Sequence, residues 1–116
     1  HAVIDALLGA AALGDIGSHF PDSDERWRGA DSIDLLSKVA GMLIGGGFEV
    51  VNVDATVIIE QPKIGPRREE IVEKIAGALG VEASRVNVKA TTAEQIGAFG
   101  RGEGAGAVAV ATLRTS

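Results

Sequence analysis

The sequence predicts an α/β domain of the two-layer α+β kind, a mixed β-sheet with helices over one face. Three observations carry this expectation. Residues 48–59, FEVVNVDATVII, alternate at the two-residue period of a strand. Val51, Val53, Ala55, Val57 and Ile59 lie on one face, and Asn52, Asp54, Thr56 and Ile58 on the other. Residues 1–13, 31–45 and 67–79 repeat apolar side chains at helical spacing. From residue 48 onward the elements run strand, helix, strand, short helix, strand, an order that lays helices on a sheet.

At 116 residues the chain is long enough for one domain with a real core. No repeat or linker divides it, so residues 1–116 read as a single domain. A net charge of −5 argues against nucleic acid or an anionic membrane surface as the main partner. There is no cysteine, hence no disulfide framework and no thiolate metal site. The apolar runs are short and broken by Asp and Gly, which argues against a membrane-spanning helix. Apolar residues make up 46% of the chain and aromatics only 3%, so the core must be built from Ala, Val, Ile and Leu.

The first helix, 1–13, sets Val3, Ile4, Leu7, Leu8 and Ala11 on one broad face. It begins at His1 without a cap residue, which places His1 inside an element of a longer parent chain. Gly14 and Gly17 end the helix and Pro21 bars its continuation. The loop 14–24 carries Asp15, Asp22 and Asp24. Clustered acids bind sugar hydroxyls or metal ions; they also make ordinary Asx turns and caps, the better prior for a single loop Asp. Asp31 and Ser32 open a second helix with Ile33, Leu36, Val39, Ala40 and Leu43 inward, stopped by Gly45, Gly46 and Gly47.

After the strand 48–59, residues 60–66 form a loop containing Pro62 and Pro66. Arg67 starts a third helix that runs to Leu79, with Ile71, Val72, Ile75 and Leu79 as its stripe and Gly80 just past its end. Residues 85–89 read as a second strand. Residues 105–113 read as a third, with Gly106, Val108, Val110 and Thr112 on one face and Ala107, Ala109, Ala111 and Leu113 on the other. A strand so small on both faces packs closely on each side, against helices on one and a neighbouring subunit on the other.

The stretch between these two strands holds the densest chemistry. Thr91 and Thr92 are good N-cap residues, and Glu94 and Gln95 each follow by three positions. That is capping-box spacing, so a helix is expected to start here. Hydroxyls, free N–H groups and a helix N-terminus together suit a phosphate. A capped helix with no ligand satisfies the same features. A glycine-rich turn follows, holding Arg101 and Glu103, which read equally as an interface ion pair.

Taken together, four blocks give the chain a family resemblance. They are residues 1–17 (HAVIDALLGAAALGDIG), 20–24 (FPDSD), 52–56 (NVDAT) with Pro62 and Lys63, and 86–94 (VNVKATTAE) with Gly100, Arg101, Glu103 and Gly104. In this order and spacing the chain resembles the 2-C-methyl-D-erythritol 2,4-cyclodiphosphate synthase family of the non-mevalonate isoprenoid pathway. The resemblance implies a homotrimer with its sheets around the three-fold axis and active sites between neighbouring subunits. It implies a substrate with a cytidine diphosphate group, 4-diphosphocytidyl-2-C-methyl-D-erythritol 2-phosphate. The 2-phosphate would attack the β-phosphorus, close the cyclic diphosphate and expel CMP. Two anions must be brought together for this, which the family does with Zn²⁺ and with Mg²⁺ or Mn²⁺.

Residue by residue, the resemblance makes His1 a zinc ligand. It gives Asp15, Ile16 and Gly17 contact with the methylerythritol and its phosphate, and makes Phe20, Pro21, Asp22, Ser23 and Asp24 the loop beside them. Ile59, Glu60, Gln61, Pro62, Lys63, Ile64 and Gly65 would form the cytidine pocket, where backbone groups and Lys63 would hold the base and phosphates. Thr91 and Thr92 would bind the diphosphate, with Thr92 stabilising the transition state, and Glu94 would hold the magnesium or manganese ion. Arg101 would bind phosphate near the trimer axis, paired with Glu103. Ala98 stands where many members have Phe in the lining of a central cavity, for which an isoprenoid diphosphate is the candidate ligand. The family's other two zinc ligands, an Asp-x-His pair, and a His-Ser-Asp-Gly-Asp block precede the residue matching His1. On that basis 1–116 is an N-terminally incomplete synthase domain. The implied location is the cytoplasm, or a plastid for a plant or algal source. Two other readings stay open at this point. One is a trimeric module that holds a cytidine nucleotide without cyclising. The other is a small-molecule enzyme of similar trimeric architecture, such as a chorismate-mutase-like protein, against whose dicarboxylate substrate Asp15 and Asp22 speak.

Overall fold

The computed structural model describes residues 1–27, 30–60, 64–92, 94, 96–102 and 104–115. Helix α1 (Ala2–Ala10) buries Val3, Ile4, Leu7 and Leu8, the face that the periodicity selects. His1 occupies its N-cap without a side-chain cap bond. The helix stops at Ala10, short of the expected Leu13. Ala12 adopts a left-handed φ of 57°, the Leu13 N–H donates to Leu8 O at 2.8 Å, and the Ala12 N–H donates to Gly9 O at 3.0 Å. These two bonds are a Schellman closure, which satisfies the last helical carbonyls before Gly14 is reached.

A second short helix, α2 (Ile16–His19), lies within the stretch expected to be loop. Asp15 caps it: its carboxylate accepts from the Ser18 N–H at 2.8 Å, and Ser18 Oγ accepts from the Asp15 N–H at 3.3 Å. Serine stands where a capping box usually has Glu or Gln, which hides the signal in the sequence. Helix α3 (Ser32–Gly45) starts as expected, with Asp31 accepting from the Ile33 N–H at 2.8 Å. Its buried residues are Leu35, Leu36, Val39, Ala40 and Leu43. Leu35 thus takes the inward place expected for Ile33.

Strand β1 (Phe48–Ile58) is the centre of a three-stranded sheet of order β2-β1-β3, flanked by β2 (Val86–Thr91) and β3 (Gly106–Thr115). β1 pairs parallel with β2 and antiparallel with β3, so the sheet is mixed, as the sequence predicts. A register shift between Val50 and Asn52 corrects the expected faces. Val50 is buried along with Val53 and Ala55, while Val51, expected on that face, is only half-buried. One extra residue in the bulged strand accounts for the switch. A 3₁₀ turn, Gly65–Arg67, leads into helix α4 (Arg68–Leu79), which connects β1 to β2 and ends on Gly80 in the left-handed conformation. Ile75, Ala76 and Leu79 are its buried residues, with Ile71 and Val72 half-buried beside them.

Helix α1 packs on β3, α3 on β1 and α4 on β2, so the three long helices cover one face of the sheet. Leu7, Leu8, Val39 and Val53 are fully buried between the layers, each contributing roughly 1.5–3 kcal/mol of transfer free energy. On the opposite face β3 presents Val108 and Val110, 61% and 64% exposed. There Asp54 accepts from Asn87 Nδ2 at 3.0 Å and from Lys89 Nζ at 2.9 Å, tying β1 to β2. Lys89 and then Asn87 hold the Asp54 carboxyl below its ordinary value. At the start of β1, Glu49 bonds Arg85, the residue before β2, on one side and Arg114 of β3 on the other. Among the described residues, no helix is long and apolar enough to cross a membrane.

Candidate active site

Two cavities gather half of the residues singled out by the sequence. The first, of about 430 Å³, is lined by Ile59, Ile64, Gly65, Pro66, Arg68, Ala90, Thr91 and Thr92. It lies where the parallel strands β1 and β2 end together, with Ile58 paired to Thr91 and the Ile59 N–H donating to Thr91 O at 3.0 Å. The carboxyl end of a parallel strand pair, next to the N-terminus of the connecting helix, is the usual ligand position in α/β sheets. Residues about thirty positions apart thus share one wall. Pro66, Arg68 and Ala90 are additions that the sequence reading did not make; their signal is adjacency to residues that it did.

The capped helix expected at Thr91 and Thr92 does not form there. Thr91 is the last residue of β2, and the next helix, α5, spans only Gly97–Gly100. Thr92 Oγ1 instead accepts from the Glu94 N–H at 3.2 Å, a turn two residues long. Glu94 takes a left-handed φ of 53°, which helical continuation forbids. The pairing with β1 has carried the chain through Thr91 as strand, and tertiary pairing overrides a local cap signal. The two hydroxyls are unequal. Thr91 Oγ1 donates to Thr92 O at 3.3 Å, so its proton is used within the chain. Thr92 Oγ1 accepts from backbone, so its own proton stays available to a ligand oxygen.

The second cavity, of about 510 Å³, is lined by His1, Ile16, Gly17, Phe20, Pro21, Asp22, Trp27, Ala30 and Leu35. The turn bearing Ile16 and Gly17 is fixed twice. Asp15 caps α2, and Asp5 Oδ1 on α1 accepts from the Ile16 N–H at 2.7 Å. Ile16 opens α2, so its N–H has no partner inside the helix and Asp5 supplies one. Asp5 has no assigned role in the sequence reading because only the fold brings α1 against this turn. The Ser18 N–H, then its hydroxyl, hold the Asp15 carboxyl below the ordinary aspartate value. His19 Nε2 lies 2.6 Å from Leu13 O, closing the turn from its other end.

Trp27, the chain's one tryptophan, closes the far wall. It packs edge-on against buried Phe20 at 5.0 Å, with Arg26 and Lys38 cations 5.3 and 5.5 Å from its ring centre. Asp24 is turned to Arg26 in a 2.8 Å ion pair, and neither it nor Ser23 lines this cavity. The Arg26 hydrogen bond holds the Asp24 carboxyl below its ordinary value.

The remaining expected residues lie apart. Glu94 follows Thr92 on an exposed turn, Ala98 is exposed on α5, and the Arg101 N–H donates to Gly97 O at 3.0 Å beyond it. Glu60 precedes the first cavity without lining it. Gln61, Pro62, Lys63 and Glu103 lie outside the described residues. Among the described residues no group of three or more His, Asp or Glu side chains could hold a metal ion. His1 and Glu94 are single candidate ligands, not a set.

Fold and site together define an α/β small-molecule enzyme domain, with one cavity at the strand ends and another beside α1. Its residues 1–114 match the YgbB family model, and the chain belongs to that family. A 2-C-methyl-D-erythritol 2,4-cyclodiphosphate synthase of Rubrobacter xylanophilus is 62% identical over 113 residues, 97% of this chain and 68% of that protein. The bifunctional IspDF of Campylobacter jejuni superposes with a TM-score of 0.95 at 38% identity, over the whole of this chain and 31% of that one. The CDP complex of Plasmodium falciparum IspF superposes with a TM-score of 0.86 at 29% identity, over 99% of this chain and 69% of that one.

Proposed function

We propose that the protein to which this chain belongs carries out cyclodiphosphate synthesis in isoprenoid precursor formation: 4-diphosphocytidyl-2-C-methyl-D-erythritol 2-phosphate gives 2-C-methyl-D-erythritol 2,4-cyclodiphosphate and CMP. The observation that carries the reading is the convergence of Ile59, Ile64, Gly65, Thr91 and Thr92 on one cavity at the strand ends. Its apolar walls suit a pyrimidine, and its threonines suit a diphosphate. The cavity beside α1, with Ile16, Gly17 and Asp22, takes the methylerythritol 2-phosphate. Family membership does not favour the non-catalytic module or the enzyme of different chemistry.

In the reaction an oxygen of the 2-phosphate forms a bond to the β-phosphorus. The bridging oxygen between the α- and β-phosphorus leaves with CMP, taking the electron pair of the broken bond. Charge shifts onto oxygens of the transferring group as the in-line displacement proceeds. Thr92 is placed to donate to one of them, because its acceptor side is already occupied by the Glu94 N–H. The rest of the chain's work is positioning. The Asp15 cap and the Asp5 bond hold the turn that receives the sugar end. The two cavities have no lining residue in common. A homotrimer with sheets facing the three-fold axis would join the two half-sites across a subunit boundary, and exposed Val108 and Val110 suit such burial.

His1 and Glu94 would each supply one ligand, to zinc and to magnesium or manganese respectively. The described residues do not complete either set, so no step is assigned to a metal. Arg101 and Ala98 would face the trimer axis, with an isoprenoid diphosphate as the candidate occupant of a central cavity. The cytoplasm is the proposed location. The test is CMP release from this substrate by the full-length protein in Zn²⁺ and Mg²⁺. Stoichiometric formation of CMP and the cyclic diphosphate is expected, and absence of CMP overturns the proposal.

A further inference from the structure

Among the described residues, the cavity at the strand ends has one charged side chain in its wall, and no step of the reaction above uses it. It is Arg68, the first residue of α4, set behind the Gly65–Arg67 turn. We propose that Arg68 is a further ligand-binding residue, whose guanidinium holds a phosphate oxygen of the nucleotide diphosphate. This rests on the reading of that cavity as the cytidine nucleotide site.

Three features of the wall support it. The neighbouring cation is already committed: Arg67 pairs with Glu70 at 3.6 Å, and Lys74 pairs with the same carboxylate at 3.4 Å. Arg68 has no ion-pair partner among the described residues, and its side chain is exposed. The other lining groups divide by chemistry. Ile59, Ile64, Pro66 and Ala90 offer apolar surface to a base, whereas Thr91 and Thr92 offer hydroxyls. Thr91's proton is engaged internally, so the hydroxyls alone provide little to offset a dianion. The chain as a whole is acidic, at −5, and an anionic ligand needs a local cation. A guanidinium supplies it as a planar fork that matches two phosphate oxygens at once.

The test is calorimetric titration of the full-length protein and its Arg68→Gln and Arg68→Lys variants with CDP and with cytidine. Arg68 is exposed, so neither substitution disturbs the core. The Gln variant is expected to bind CDP about ten-fold more weakly, the size of one charge-assisted contact at a partly solvated rim. Cytidine affinity is expected to stay the same, and Lys to recover part of the loss. The CDP difference should shrink as salt is raised, because the contact is a screened charge interaction. Equal CDP affinity in wild type and Gln variant overturns the inference, and so does an equal loss for CDP and cytidine. Failure of the wild-type protein to bind CDP overturns the nucleotide reading of the cavity, and the inference with it. That outcome is distinguishable because it appears before any substitution.

Discussion

Replacing Asp5 with alanine should loosen the turn proposed to receive the sugar phosphate while leaving the core intact. The bond at stake runs from the Ile16 N–H to Asp5 Oδ1 at 2.7 Å, between two elements eleven residues apart in sequence. A hydrogen bond to a charged group contributes about 1.5–3 kcal/mol when shielded, and roughly 1 kcal/mol is the fitting figure here, since this one is exposed and water competes for both partners. That loss raises the open population of the turn about five-fold. The direct readout is hydrogen exchange at the Ile16 amide, whose protection should fall by that factor while the amides of β1 keep theirs. Asp5→Asn retains a carbonyl acceptor at the same reach and should recover part of the protection. In the synthase assay Asp5→Ala should raise KM for the substrate, because Ile16 and Gly17 line the cavity proposed to take it. Unchanged Ile16 protection in the alanine variant would refute the reasoning. A uniform loss across β1 would show instead that Asp5 stabilises the whole domain.

Thr92→Ala is expected to lower kcat by about 100-fold, the usual cost of one donor to developing negative charge, with little change in KM; a change in KM alone contradicts the assigned role. Glu49 makes stability depend on acid: Arg114, then Arg85, hold its carboxyl below the ordinary 4.5. A folded-state value below the unfolded one adds stability that is present above 4.5 and lost as pH falls through the folded value. Thermal melts of Glu49→Gln should therefore lose less on acidification than wild type, and parallel melting curves would remove Glu49 from the account. Gly80→Ala should cost about 1 kcal/mol, or roughly 4 °C in Tm. Gly80 sits at φ 69° with open space around the missing Cβ, so the cost is all in the backbone; a stabilised variant would contradict it.

How much was legible in the sequence differs from element to element. The helices α1, α3 and α4, most of their apolar stripes, the alternation of β3, and the Asp31 and Gly80 caps all follow from short-range patterns, and they appear as expected. Those patterns depend on the period of a single element, which the local residues set. The failures share a cause. Val50 and Val51 exchange expected environments because a bulge fixes β1 against β3, a register that only the partner strand defines. The Thr91–Gln95 stretch carries good cap chemistry, yet pairing with β1 extends β2 through Thr91 and leaves Thr92 and Glu94 in a tight turn.

The site divides the same way. The candidate groups are readable in the sequence: Asp15, Asp22, Thr91 and Thr92 stand out by type, spacing and family resemblance. Local sequence determined those groups because hydroxyls, carboxylates and turn glycines have short-range preferences of their own. The tertiary structure decided which of them meet. It set Ile59 beside Thr91 through a parallel strand pair, gave Asp5 to the Ile16 amide, turned Asp24 away to Arg26 and added Arg68 to the cavity wall. Those outcomes depend on packing between elements far apart in the chain, where burial and pairing outweigh the local preferences that a sequence displays.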